Sequence, residues 1–156
     1  MKTLISPTEV LSLAFGTTHT LEEGAVPHHS ILAAEQSFLL PALGEKLYTL
    51  LAAENPDEEC AGFVEEYLKQ PLALYVASRL LPTLAVKIGS AGVARLTGES
   101  FEAVDEQTLH KVVVRLRRDA DTLLARALDY LADNPTLFPD YEPQTPKHRI
   151  VGGIVM

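Results

Sequence analysis

Asp105-Glu-Gln-Thr-Leu109-His-Lys-Val-Val-Val-Arg-Leu116-Arg-Arg-Asp-Ala-Asp-Thr-Leu-Leu124-Ala-Arg-Ala-Leu-Asp-Tyr-Leu131-Ala-Asp133 runs without a glycine or a proline. Leu109, Val112, Val113, Leu116, Ala120, Leu123, Leu124, Ala127, Leu128 and Leu131 recur in it at three- and four-residue intervals, the period of one helix face. Asp105 is placed to cap its start, and Asn134-Pro135 stops it. At 1.5 Å per residue the helix spans about 42 Å. A helix this long with one apolar stripe needs other helices to cover it, so the chain reads as all-α. Leu116, in mid-stripe, is expected to be core, and Leu116→Asp is expected to unfold the chain by burying an unpaired charge.

Outward from that helix the same signals recur. Ser6-Pro7-Thr8-Glu9 pairs a capping serine with a proline suited to the first helical position and a glutamate that completes a capping box. Val10, Leu11, Ala14 and Phe15 follow on one face, and Gly16 ends the element. Residues 17–25 read as a loop. Pro27 opens a second helix whose period is carried by Ile31, Leu32, Ala34, Glu35, Phe38 and Leu39. Pro41 is expected to end that run and begin another through Leu43, Leu47, Leu50 and Leu51, with Gly44 in its first turn. Asn55-Pro56-Asp57-Glu58-Glu59 is a turn into an acidic helix start, which suits the helix dipole. The helical region from Asp57 to about Ile88 is expected to be split or kinked by Pro71 and Pro82. Gly89-Ser90-Ala91-Gly92 breaks it, and residues 92–104 suggest a small β-hairpin. The sequence therefore predicts a bundle of four or five helices over 1–133, with one long last helix. An extended, proline-spaced tail follows over 134–156.

Composition bounds the function. The 156 residues carry 13 Lys and Arg against 21 Asp and Glu, a formal net charge of −8. That balance argues against general affinity for nucleic-acid backbones, which takes clustered cations. Hydrophobic residues make up 47% with only 6% aromatic, so the surplus is Leu, Ala and Val. That surplus reads either as subunit interface or as one greasy core. Cys60 is the single cysteine, so an intrachain disulfide is excluded. Pro7 and Glu9 interrupt what a signal peptide would need as its apolar segment, and residues 70–86 are too short and broken for a membrane span. A soluble intracellular protein is expected.

No catalytic constellation is visible. His28, His29 and His19 lack metal-ligand spacing and read as solvent-facing helix-start residues, so no metal and no cofactor are expected. Cys60 follows Asp57-Glu58-Glu59, acidic neighbours that raise a thiol pKa, and reads as a core cysteine. The glycines at 89, 92 and 98 do not form a phosphate loop. The acidic pairs Glu22-Glu23 and Glu65-Glu66 read as solvated surface. Two features point to contacts instead. Lys111, Arg115 and Arg118 lie one and two turns apart on the long helix, either as a solvated face or as cations that meet acidic residues of a neighbouring copy. Ile150-Val151-Gly-Gly-Ile154-Val155-Met156 is apolar or glycine throughout. Such a tail is expected to dock on this chain's own sheet edge or on another subunit.

The order of elements resembles the small helical head–tail connector proteins (neck adaptors, head-completion proteins) of tailed bacteriophages and prophages. The residues that carry the resemblance begin with Leu4-Ile-Ser-Pro-Thr-Glu-Val10 and Ile31-Leu-Ala-Ala-Glu35. Leu40-Pro-Ala-Leu-Gly44 with Leu47-Tyr48, the Leu72–Ile88 region, the turn Gly89–Val93 and the helix ending Tyr130-Leu131 complete it. It covers about Leu4 to Tyr141 as a pattern of architecture and scattered positions, with no active-site motif. The resemblance implies a non-enzymatic ring of subunits below the portal and around the DNA channel. Assembly would take place in the host cytoplasm and the final place would be the virion neck. The partners it implies are other copies, the portal or a neighbouring neck protein, and DNA only in passage. The Gly152-Gly153 terminus departs from the family's pattern. A cytoplasmic helical regulatory or protein-binding domain is the other reading of the same residues.

Overall fold

The computed structural model describes residues 2–16, 21–90, 105–143, 150–151 and 154–155, with backbone alone for 85–90 and the last four. Among the described residues the fold is an all-α bundle of five helical runs followed by a short two-stranded ribbon. Helix α1 is Pro7–Phe15. Helix α2 covers 28–43, made of His28–Ala34, a wide π-helical turn Glu35–Leu39, and Leu40–Leu43. Helix α3 is Glu45–Leu51. Helix α4 covers 58–90, with a second π-helical turn at Val64–Leu68. Helix α5 is Glu106–Asp133. The loop before α2 contains a single 3-10 turn, Glu23–Ala25.

The helix starts form where local chemistry dictates. The Ser6 hydroxyl accepts from the Glu9 amide at 3.3 Å while the Glu9 carboxylate accepts from the Ser6 amide at 2.9 Å, a complete capping box. Asp57 accepts from the Cys60 amide and Asp105 from the Thr108 amide, each at 2.7 Å, so both satisfy orphan N–H groups of the first turn. Ser6→Ala is expected to cost about 1 kcal/mol of stability by removing one such acceptor. A urea titration that shows no change in midpoint would disprove the cap's role.

The prolines behave differently from expectation. Pro41 does not end a helix, and Pro71 and Pro82 do not divide the fourth: α2 runs through Pro41 and α4 through both others. The physical reason is visible upstream of two of them. A proline lacks the N–H for the ordinary helical bond and its ring crowds the carbonyl four residues back. The π-helical turns Glu35–Leu39 and Val64–Leu68 each lie just before a proline and widen the backbone there. The break falls instead at Gly44, which has φ +83° and joins α2 to α3. That left-handed value favours glycine, and the Gly44 N–H still bonds Leu40 while its carbonyl takes the Tyr48 N–H.

Helix α4 is the centre of the bundle. Residues 71–78 are buried without interruption, so the helix is covered on all sides around Leu72, Tyr75 and Val76. Its partners are α1, α2 and α5, with α5 making the most extensive contact. Phe63 stacks with Tyr130, Tyr75 donates a hydrogen bond to Asp121, and Pro82 shares a groove with Val113. Rising numbers on α4 thus meet falling numbers on α5, and the two helices are antiparallel. Much of the chain's hydrophobic surplus is therefore used in its own core. Phe138, beyond the end of α5, is also buried and packs against Phe63 and Tyr130.

The stripe on α5 divides along its length. Ala120, Leu124, Ala127 and Leu131 are buried, but Leu116 is half-buried and Val112 is 42% exposed. The expectation that Leu116→Asp unfolds the chain is corrected on that ground, since a carboxylate at a half-buried position can reach water. Among the described residues no helix is long and apolar enough to cross a membrane. The hairpin expected over 92–104 lies outside the described residues.

Candidate functional site

The two features singled out in the sequence lie in separate places. Lys111, Arg115 and Arg118 are exposed along one side of α5 and border a shallow depression of about 490 Å³ with His110, Val114 and Asp119. All six residues come from the one helix, so the depression is a helix surface and not a cleft between elements. Among the described residues none of the three cations makes an ion pair. The i,i+4 pairing that would neutralise a solvated face is thus not built here. Val112 and Val114, 42% and 40% exposed, put apolar surface beside this charge.

The C-terminal segment is not simply extended. Ile150–Val151 pairs antiparallel with Ile154–Val155, in the register Ile150 with Val155 and Val151 with Ile154. That register leaves two residues between the strands, and the sequence has Gly152-Gly153 at those positions, a composition that suits a short connection. Among the described residues the sheet has only these two strands, so each strand keeps one edge without a partner. Met156 lies outside the described residues.

Two arrangements escaped the sequence reading. Glu35 is fully buried; its carboxylate accepts from the Leu4 amide at 2.6 Å and the Tyr48 hydroxyl at 2.7 Å. Burial pushes its pKa above the usual carboxylate range, against the opposing pull of those bonds and of the His28 charge. This group ties the N-terminal segment to α2 and α3. The available signal was an acid on the apolar period of the second helix. Lys69 forms the other node, bridging Glu9 of α1 and Glu65 of its own helix at 2.5 Å each. Partial burial works to lower the Lys69 pKa, but the hydrogen bonds and charges of the two glutamates outweigh it and hold it above its ordinary value. Both nodes join elements of the fold and leave no group poised for chemistry.

Cys60 is buried, and burial together with the Asp57 hydrogen bond pushes its thiol up to about 12. A thiol held protonated at neutral pH is a poor nucleophile. His28 and His29 are exposed at the start of α2. Among the described residues no group of His, Cys, Asp and Glu converges as a metal site.

The family model described as "Family of unknown function (DUF6712)" matches residues 39–149. The chain belongs to this DUF6712 family. The matched stretch takes in the end of α2, the whole α4–α5 pair and the cationic side of α5, and stops just before the ribbon. No curated protein and no solved structure matches the chain. DUF6712 membership therefore groups this architecture with others without assigning it an activity.

Proposed function

We propose that this chain is a structural, non-enzymatic adaptor subunit, of the kind its sequence resembles: a head–tail connector that forms a ring between portal and tail around the DNA channel. The observation that carries the reading is the charge arrangement along the bundle. Because α4 and α5 are antiparallel, the exposed acids Asp57, Glu58 and Glu59 at the start of α4 lie at the opposite end from Lys111, Arg115 and Arg118. One end carries a cluster of acids; the other carries three cations that make no ion pair among the described residues, with Asp119 and exposed valines beside them. Surfaces that differ in this way suit a head-to-tail contact, which generates a closed ring when the rotation closes. The ribbon's open edges suit strand addition by the portal or a neck neighbour.

The test is native mass spectrometry with light scattering, on the chain alone and mixed with the portal protein of the same genome. A discrete oligomer that dissociates as salt rises is expected, because screening weakens exposed charge contacts. Reversing Lys111, Arg115 and Arg118 to glutamate should leave a folded monomer. Deleting residues 150–156 should leave the bundle's unfolding midpoint unchanged and abolish binding to the portal. Monomer alone under both conditions would overturn the reading.

A further inference from the structure

A groove of about 530 Å³ lies between α2, α4 and α5, walled by His29, Ser30 and Phe38, by Arg79 and Thr83, and by Arg117, with apolar surface from Ala33, Leu84 and Val113. Among the described residues its lining contains two guanidinium groups and no carboxylate. In a chain of net charge −8 that is an exception. Four other depressions of similar size each carry at least one acid: Glu9 and Glu65, Glu66, Asp119, and Glu45.

The two arginines are not there to hold the fold by ion pairing. Among the described residues neither Arg79 nor Arg117 forms a salt bridge. Asp121, one turn along α5 from Arg117, already accepts the Tyr75 hydroxyl at 2.5 Å. Arg117 is held in place by an aromatic ring instead: its guanidinium carbon lies 4.9 Å from the centroid of Phe38, which is itself stacked on Tyr75 at 4.1 Å. A positioned guanidinium whose N–H fork makes no ion pair among the described residues is the group that recognises a planar or tetrahedral oxyanion by paired hydrogen bonds. Hydroxyls of Ser30 and Thr83 add neutral donors. The volume falls within the range of small-molecule sites.

We propose that this groove binds a small organic phosphate, a phosphomonoester carried on an apolar body. Arg79 and Arg117 take the phosphate, whose charge of nearly two at neutral pH matches two guanidiniums. The apolar part lies against Ala33, Leu84 and Val113. This site is separate from the Lys111–Arg118 side of α5, so it stands or falls independently of ring assembly.

Phenyl phosphate is the probe, titrated into the full chain by calorimetry with a thermal-shift measurement alongside. Saturable binding is expected, with no binding of phenol and weaker binding of inorganic phosphate. R79Q and R117Q should each weaken it roughly tenfold or more, the usual effect of losing a charged donor. Both arginines are exposed, and unchanged far-UV circular dichroism in each variant separates lost binding from lost fold. R117K, which keeps the charge without the fork, should fall between parent and R117Q. The double variant K111Q/R115Q should bind within about twofold of the parent, since exposed charges at a distance are screened. No saturable binding up to about 10 mM, well past the weak end of specific affinity, would overturn the proposal. Equal weakening by K111Q/R115Q would overturn it too, as diffuse charge attraction, and equal affinity for inorganic phosphate would overturn the apolar half.

Discussion

Leu131→Asp is expected to abolish cooperative folding. Leu131 is fully buried on α5, in the core cluster that also holds Phe63 and Phe138. Losing the leucine contacts alone costs about 2–5 kcal/mol. A carboxylate there has no cation among the described buried residues, so either the charge is buried unpaired or the group must bind a proton, and both cost several kcal/mol more. Domains of this size are stable by about 5–15 kcal/mol, so one substitution consumes most or all of it. Leu116→Asp, four turns earlier and half-buried, should cost only about 1–2 kcal/mol. Far-UV circular dichroism and urea titration of both variants provide the check. A Leu131→Asp chain that unfolds cooperatively within 1 kcal/mol of the parent, a margin set by ordinary single substitutions, would show that α5 is packed on a different face.

The second large effect is expected at Glu35, and it depends on pH. Glu35→Ala leaves the Leu4 amide and the Tyr48 hydroxyl without their acceptor in a buried place, at about 1–3 kcal/mol each, with a further term for the lost volume. Glu35→Gln keeps an oxygen for Leu4 and offers Tyr48 an N–H, so its cost at neutral pH is small or reversed. The sign of the pH effect follows from the raised pKa. The folded chain holds the Glu35 proton more tightly than the unfolded chain, whose value is near 4.5. The group's stabilising contribution is complete below that value and is lost as pH rises from there through the higher folded value. Glu9, Asp57 and Asp105 act in the opposite sense, because their pKa values are lowered and their contribution is lost as pH falls. The measurement is therefore the difference between parent and Glu35→Gln urea midpoints from pH 4 to 8. The Gln chain should gain on the parent as pH rises through the window, whereas parallel curves would mean that Glu35 stays ionised at no cost.

What could be read from the residues was whatever local chemistry decides. The caps at Ser6, Asp57 and Asp105 need a side chain and an amide three residues on, so the sequence contains the whole interaction. The length and period of α5 were equally plain. The division expected at Pro41 and Pro71 does not occur, because a widened turn, invisible in residue type, precedes each of them. The upper half of the α5 stripe looked like core since apolar spacing does not say where the covering helix stops. Glu35 was counted in an apolar period, but its acceptors' partners, Leu4 and Tyr48, come from two other segments. Arg79 and Arg117 are 38 positions apart, and only antiparallel packing of α4 and α5 puts them in one groove.

The two π-helical turns have a consequence for how relatives of this chain can differ. A wide turn is what a helix makes when it absorbs a single additional residue without unwinding. A member of the group with one amino acid fewer between 35 and 39, or between 64 and 68, would tighten to ordinary α-helix while every contact on either side stayed in phase. Such a member would also be free of the need for tolerance downstream, and a proline at the position of Pro41 or Pro71 should then be replaced by a residue with an N–H. Single-residue gaps at these two places, coupled to the absence of the following proline, are the trace that this geometry should leave among its kin.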